Sequence, residues 1–411
     1  MENIAKDSRE IYKHIVPQAV DTLRNDLIAI SLDIHAHPEL NYQEHHASKV
    51  LSDALEKNGF KVERGVAGVD TAFIGIYEGG KGDGPTVAIL VEYDALPEIG
   101  HGCGHNLIAI STLGAGLGAK AALGSLPGRI MVIGTPAEEG GGGKIRLLDA
   151  GLFKDVDVVL SSHPSSNRTV IPVDIPMGES WSLAMVGYRY EFHGKAAHAA
   201  VMPHEGINAL NSVIHLFTGI DALRQHLRDD TRIHGIITDG GTAPNVVPEF
   251  AAANFMLRCR NREYLKDVIV EKVREVAEGA AKITGARLDI QPYYPFYENV
   301  IPSSVIANDA RLNADLIGMH IDDPLPGQRG SGASTDFGNV SQVIPSFAMT
   351  FAVSEQPVPG HSKAMTDAAI SDLGHDNALA VAKTLGLVAC DLLSDPTLLE
   401  AAHIEFNARK I

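Results

Sequence analysis

Apolar runs of strand length alternate with helical patterns through the first third of the chain, and this rhythm limits the possible folds more than any other feature. Residues 86–97 and 129–139 each begin with such a run, a helical pattern over 106–123 separates them, and another strand pattern follows at 157–164. Strands that alternate with helices form a mainly parallel sheet covered by helices. The sequence therefore predicts an α/β layer with its ligands at the carboxyl ends of the strands.

A different order occupies the middle of the chain. From about residue 182 the patterns read strand, helix, strand, strand, helix, strand, which is the βαββαβ order of a ferredoxin-like unit. Its first helix is expected to bury one face, which carries Ile207, Leu210, Ile214, Phe217 and Leu223. Because 411 residues exceed one hydrophobic core, we predict a catalytic domain in two parts, 1–181 and 296–411, with a ferredoxin-like domain inserted at 182–295.

The charge and composition of the chain limit the classes of binding partner that we expect. The formal net charge of −17 repels phosphate backbones, so we expect no nucleic-acid partner. No signal-peptide pattern and no apolar run of membrane-spanning length is evident, so we expect no membrane partner and a cytoplasmic location. The three cysteines are far apart and form no C-x-x-C pair, which argues against a disulfide framework or a zinc finger.

Polar clusters follow three of the predicted strands: EYD at 92–94, AEEGGGG at 137–143 and SSHP at 161–164. The candidate metal ligands and acid–base groups in or near these clusters, or later in the chain, are Cys103, His105, Glu138, Glu139, His163 and His361. Thiolate, imidazole and carboxylate are the ligands that zinc takes, and a catalytic site leaves a position open for water. The set suffices for two metal ions, and one of the adjacent glutamates can act as a base.

The run IGHGCGHNLIA, residues 99–109, leaves several interpretations open by itself. Cys103 and His105 can be metal ligands, or Cys103 can be a thiolate nucleophile with His101 or His105 as its base. A tight turn without chemistry is the structural alternative. A metal- or peptide-binding protein without catalysis is also possible, but a binding site has no need of a second carboxylate beside the ligand.

Several motifs in fixed order resemble a known family. They are HAHPELNYQE, EYDALPEIGHGCGHN, GTPAEEGGGGK, SSHP, HGKAAHAAVMPHEGINAL, GGTAPNVVPE and STDFGNVSQVIP followed by HS. This series, which covers nearly the whole chain, resembles the aminoacylase / carboxypeptidase G family of dizinc amidohydrolases. The similarity is greatest to the cysteine-containing branch with the aminobenzoyl-glutamate hydrolases and aminoacylase-like dipeptidases.

The resemblance implies a function and a set of ligands. It implies hydrolysis of the amide bond of N-acyl amino acids or dipeptides that carry a free carboxylate, with Glu138 as the general base. It also implies two divalent ions, zinc with manganese and cobalt as alternatives. The ligands that it implies are Cys103, His105, Glu139, His163 and His361.

The resemblance further implies that the inserted domain is a lid through which the chain forms a homodimer. His198 matches a lid histidine that enters the partner's site and stabilises the oxyanion. Asn245 matches a substrate contact, and Arg258 matches an arginine that binds a substrate carboxylate. By itself the sequence offers a structural alternative for each residue: His198 as the cap of the following turn, Asn245 in a left-handed turn before Val246, and Arg258 as a surface charge.

This sequence also departs from the family pattern. Other branches carry H-x-D where this chain has Glu92, Tyr93 and Asp94, so we expect His105 to replace the missing ligand and Asp94 to orient a ligand. The role of Glu92 stays open. Asn106 stands where related chains often carry Asp, and SKAM follows His361 in place of the more usual aromatic or acidic continuation.

Overall fold

The computed structural model describes residues 2–172, 181–323 and 332–409. The first part contains α1 (Glu2–Thr22), α2 (Arg24–Ala36), α3 (His45–Lys57), β1 (Lys61–Arg64), β2 (Phe73–Glu78), β3 (Thr86–Val91), α4 (His105–Leu123), β4 (Arg129–Gly134), α5 (Gly143–Asp149) and β5 (Val158–Ser165). The middle contains β6 (Ala184–His193), α6 (Ala209–Leu223), β7 (Arg232–Asp239), β8 (Phe250–Cys259), α7 (Arg262–Tyr264), a π-helical turn (Leu265–Ile269), α8 (Val270–Thr284) and β9 (Arg287–Tyr297). The last part contains α9 (Ser304–Leu316), α10 (Phe337–Ser341), β10 (Ser346–Ala352), α11 (Lys363–Ala368), α12 (Asp372–Ser394) and α13 (Pro396–Arg409).

Two compact units divide the chain. The larger consists of Met1–Trp181, Ile301–Gly330 and Asn339–Ile411, and the smaller of Ser182–Val300 and Ser331–Gly338. The smaller unit is therefore an insertion in the sequence of the larger one.

The larger unit is built on a six-stranded sheet in the order β1-β2-β4-β3-β5-β10. The strands β4, β3, β5 and β10 are parallel, whereas β2 runs antiparallel to both of its neighbours, β1 and β4, at one edge of the sheet. The prediction of a mainly parallel sheet holds for the part that carries the polar clusters. The short connection between β1 and β2 cannot cross over the sheet, so these two strands pair as an antiparallel hairpin.

Helix α4 lies at the centre of the larger unit and is buried on nearly all sides. It packs against β3, β4 and β5 and against α12. A Cβ atom on Gly116 would lie 2.5 Å from Val132 Cγ2 of β4, so the absence of a side chain brings α4 close to the sheet. Because α4 begins at His105, this packing also fixes the position of one candidate ligand.

Helices α4 and α12 are long and apolar enough to cross a membrane, which corrects the expectation that no segment reaches that length. In α4, 89% of the apolar window is buried inside the protein, and in α12 the share is 78%. Their apolar residues belong to the hydrophobic core of the larger unit.

The smaller unit has an antiparallel sheet in the order β7-β8-β6-β9, which is the ferredoxin-like arrangement of its βαββαβ sequence. Helices α6 and α8 pack against each other and share a core with the sheet. The buried face of α6 contains Val213, Leu216 and Ile220, whereas Ile214 is 47% exposed. The predicted burial of Ile214 is therefore wrong, because α6 is apolar over a wide arc and the sheet contacts the adjacent stripe.

Candidate active site

The carboxyl ends of the four parallel strands position the candidate site, as expected for such a sheet. Glu92 and Asp94 follow β3, and the Glu138–Glu139 pair follows β4. The loop after β10 carries His361. His163 is an exception to the predicted placement, because it lies within β5 opposite Thr350 of β10 instead of after the strand.

His105 is oriented by a buried carboxylate. Its Nδ1 lies 3.0 Å from Asp94 Oδ1, and both side chains are fully buried. A histidine that donates from Nδ1 to a carboxylate presents the lone pair of Nε2 to a metal. Here Nε2 lies 3.6 Å from Glu92 Oε2 and 3.9 Å from Glu139 Oε1. The geometry matches the expected orienting contact of Asp94.

Cys103 and His163 face each other. The Sγ atom of Cys103 lies 3.4 Å from Nε2 of His163. The Nδ1 atom of His163 donates to the carbonyl oxygen of Pro164 over 2.7 Å, which leaves the lone pair of Nε2 available on the side of Cys103. Both residues are thus arranged as ligands of one ion.

Glu139 and His361 form the other side of the cluster. Oε1 of Glu139 lies 3.5 Å from Nε2 of His361. His361 has a left-handed backbone with φ 53°, an unfavourable conformation for a residue with a Cβ atom, and its N–H donates to Gly102 O over 3.0 Å. This bond ties the loop after β10 to the turn that carries Cys103.

The five residues fit a pair of metal ions. Ligand atoms of Cys103, His105 and His163 lie within 4.8 Å of one another, and so do those of Cys103, Glu139 and His361. Around a tetrahedral ion with the usual Zn–S and Zn–N distances, ligand atoms are roughly 3.3–3.6 Å apart. Within the described part of the chain, His105 Nε2 and Glu139 Oε1 are buried without a hydrogen-bond partner. Such atoms are costly unless a cation binds them.

The environment of Cys103 does not activate a free thiolate. Desolvation in the site, followed by the charge of Glu139, raises the pKa of the thiol well above its ordinary value, although the charge of His105 opposes this shift. A cysteine nucleophile needs surroundings that lower the thiol pKa. Cys103 therefore fits a metal ligand better than the nucleophile that the sequence left open.

Glu138 lies on a tight turn between β4 and α5, and its side chain is only 6% exposed. One of its carboxylate oxygens lies within 4.8 Å of a carboxylate oxygen of Glu92 and of a ring nitrogen of His105. The preceding residue, Ala137, has a left-handed φ of 61°, and the N–H of the following Glu139 donates to Asp94 Oδ2 over 2.9 Å. The turn thus presents Glu138 beside the ligand cluster.

Two buried charged residues near this turn were not predicted as site residues from the sequence. Lys144 is fully buried, and its Nζ lies 2.8 Å from Glu92 Oε1, which answers the open question about Glu92. Glu44 is fully buried and its carboxylate accepts a hydrogen bond from Ala137 N. No periodicity marks either residue, since a lysine after four glycines and a glutamate in NYQEHH both read as solvated.

Asn106 and His101 have structural contacts. Nδ2 of Asn106 donates to Ser31 Oγ and to Ala369 O, each over 2.9 Å, so it joins α4 to two other segments. His101 is buried and its Nε2 contacts Ile34 O at 3.1 Å. Burial lowers the pKa of His101 to about 3, which keeps the ring neutral.

The three predicted lid residues lie in the smaller unit. His198 is exposed, and its Nδ1 accepts hydrogen bonds from Ala200 N and Val201 N, so Nε2 carries the proton. Asn245 is exposed beside it, and its carbonyl oxygen accepts from Ala199 N. Arg258 lies on β8, where its Nη1 donates to Ser334 Oγ over 3.2 Å. Their predicted roles stay predictions.

The chain is similar in sequence to several known proteins. Residues 184–284 match the family model of a peptidase dimerisation domain. The chain is 36% identical to Xaa-Arg dipeptidase of Mus musculus, over 97% of this chain and 93% of that one. The chain belongs to the M20 peptidase family. Its relatives also include a p-aminobenzoyl-glutamate hydrolase of Escherichia coli (strain K12), which is 29% identical over 97% of this chain and 95% of its own length.

Solved structures agree on the fold. The YXEP protein of Bacillus subtilis, described as a dinuclear metal-binding peptidase of the M20 family, matches with a TM-score of 0.69 at 22% identity, over 91% of this chain and 99% of that one. The predicted family and the predicted α/β layer with a ferredoxin-like insertion are confirmed. This M20 protein is a metal-dependent amidohydrolase.

Proposed function

We propose that this M20 protein hydrolyses the amide bond of dipeptides or N-acyl amino acids with a free carboxylate. The observation that carries the proposal is the convergence of five ligands around Cys103 beside the buried Glu138. The names of the mouse dipeptidase and the Escherichia coli hydrolase support the substrate class, since both describe an amide formed by the amino group of an amino acid.

In this proposal Glu138 acts first as the general base and then as the general acid of the reaction. Cys103, His105, Glu139, His163 and His361 would hold two divalent ions, which we propose to be zinc and which would supply Lewis-acid chemistry for the amide carbonyl and for water. Glu138 accepts a proton from the attacking water and later delivers it to the departing amine. Asp94 holds His105 in the orientation that binding requires, and Lys144 neutralises Glu92 in the same buried region.

The smaller unit supplies the remaining groups in this proposal. In the homodimer that we propose, His198 offers its exposed Nε2–H as a donor to the oxyanion in the partner subunit's site, and Asn245 lies beside His198 as a substrate contact. Arg258 offers a guanidinium whose Nε is buried without a hydrogen-bond partner in the described part of the chain, which suits a substrate carboxylate. We further propose a homodimer through residues 184–284, supported by the dimerisation-domain match, and a cytoplasmic location.

A substrate panel with metal analysis tests the function. Xaa-Arg dipeptides, aminobenzoyl-glutamate and N-acetylcysteine are assayed with the purified enzyme, with and without chelator. We expect turnover that chelation abolishes and that returns when metal is restored.

The base is tested with Glu138→Ala, and Glu63→Ala serves as a matched control because Glu63 is an exposed glutamate of β1. We expect Glu138→Ala to keep its metal and lose turnover, while the control retains both. Full turnover by Glu138→Ala would refute this mechanism. Activity that survives chelation but not thiol alkylation would instead establish the cysteine-nucleophile alternative.

A further inference from the structure

Glu44 connects the start of α3 to the turn that carries Glu138. Its Oε1 accepts hydrogen bonds from Tyr42 N and from Ala137 N, each over 2.9 Å, and its Oε2 accepts from Thr71 Oγ1 over 3.0 Å. The side chain is fully buried, so all these bonds are shielded from water. A carboxylate with three donors in the interior is a rigid anchor.

The turn needs such an anchor because its backbone is strained. Ala137 has φ 61°, and this left-handed conformation is unfavourable for a residue with a Cβ atom. Bonds from Gly141 N and Gly142 N to Ala137 O close the turn from the other side. There is no space to relax near Gly141, where a Cβ would lie 2.5 Å from both Ala137 Cβ and the Tyr42 ring.

The N–H groups on either side of Glu138 are both held by buried carboxylates. The carboxylate of Glu44 accepts a hydrogen bond from the N–H of Ala137, and that of Asp94 accepts one from the N–H of Glu139. Fixing both neighbouring peptide groups fixes the direction in which the side chain of Glu138 leaves the backbone. We propose that Glu44 is a positioning residue for the reaction, which holds the turn so that Glu138 meets the attacking water, and this inference rests on the proposed role of Glu138 as the base.

The holding contact depends on the length of the Glu44 side chain and not on its charge. Burial, followed by the charge of Asp94, raises the pKa of Glu44 to about 7. If Oε2 is protonated, it can donate to Thr71 Oγ1 while Oε1 still accepts from the two N–H groups. A glutamine preserves the same arrangement with its amide, whereas an aspartate keeps the charge but is one methylene too short to reach Ala137 N.

Two conservative variants therefore separate positioning from electrostatics. We expect Glu44→Gln to retain kcat within about threefold of the wild type. We expect Glu44→Asp to lower kcat by about 10- to 100-fold with little change in KM and with normal metal content, because the base is displaced. The reverse order, with Glu44→Asp active and Glu44→Gln impaired, would overturn the proposal and identify the charge as the important property.

Glu39 provides a matched control on the same segment. Its carboxylate also accepts two backbone N–H groups, those of His46 and Ala47 at the start of α3, and the contacts of its carboxylate stay within this segment. We expect Glu39→Asp to leave kcat unchanged even if it lowers thermal stability. A loss of kcat in Glu39→Asp equal to that in Glu44→Asp would mean that any loosening of α3 impairs the enzyme, which contradicts a specific role of Glu44.

A double variant tests whether Glu44 acts through Glu138. If it does, adding Glu44→Asp to Glu138→Ala leaves the residual rate unchanged, because the group that it positions is already absent. An additional loss of the same size as in the single variant would overturn the inference while the role of Glu138 stands. Full turnover by Glu138→Ala alone would instead refute the proposed function, so the two failures are distinguishable.

Discussion

Removing Lys144 is expected to destabilise the protein through the carboxylate that it leaves behind. Lys144 Nζ and Glu92 Oε1 are 2.8 Å apart, and the two side chains are 0% and 4% exposed. Their attraction is about 6 kcal/mol at an effective dielectric constant of ~20. Burial opposes ionisation of Glu92, and Lys144 with His105 and His163 outweighs burial and keeps its pKa below the ordinary 4.5. In Lys144→Met this carboxylate loses its main partner.

Glu92 can limit that loss by accepting a proton. Protonating a carboxyl group of pKa 4.5 at pH 7 costs about 3 kcal/mol, at about 1.4 kcal/mol per pH unit. We therefore expect Lys144→Met to lower the free energy of unfolding by about 3 kcal/mol at pH 7 and by only about 1 kcal/mol at pH 5. The sign follows because a lower pH makes the neutral carboxyl group cheaper.

Urea unfolding of the variant at both pH values measures these differences. The double variant Lys144→Met/Glu92→Gln has no unpaired charge, and we expect it to recover most of the stability at pH 7. Lys49→Met is the control, since the Lys49–Asp53 pair is exposed on α3 and contributes at most about 1 kcal/mol. A double variant no more stable than Lys144→Met would refute the argument from the buried charge.

Two further predictions concern Asp94 and His101. Asp94→Asn keeps the shape of the contact to His105 but weakens the orientation of the imidazole, so we expect metal affinity to fall about 10- to 100-fold, measured by competition with a chelator; unchanged affinity would contradict the orienting role. Burial lowers the pKa of His101 to about 3, so below pH 6.5 the unfolded chain binds a proton that the folded protein excludes. Between pH 6.5 and 5 we therefore expect the free energy of unfolding of the wild type to fall, relative to His101→Gln, by up to about 1.4 kcal/mol per pH unit. Parallel stability curves for the two proteins in urea would show that folded His101 is protonated.

The sequence predicted the elements whose periodicity reflects burial. Strands β3, β4 and β5 each contain an apolar run, and most residues of helix α4 are apolar, so the number and order of these elements could be recognised without tertiary information. The direction of β2 could not, because strand direction depends on the connection and not on the pattern. Strand β1 reads KVER with mostly exposed side chains, so it carries no apolar signal.

The candidate ligands could be recognised in the sequence because metal binding requires particular side chains near strand ends. The supporting residues could not, since Glu44 and Lys144 are ordinary charged residues in the sequence and become informative only through their neighbours. The carboxylate of Glu44 accepts a hydrogen bond from the N–H of Ala137, which lies 93 positions further along the chain. Contacts at that separation follow from the packing of α3 against the sheet, which no local pattern encodes.

The contribution of His361 has a consequence for biosynthesis. Four of the candidate ligands lie within the first 163 residues, but the fifth comes from a loop that follows the whole inserted unit and β10. A ribosome must therefore translate the inserted unit and β10 before the proposed metal centre can close. Truncated products and stalled nascent chains that end before His361 lack this candidate ligand, so full metal occupancy would report that synthesis has passed this loop.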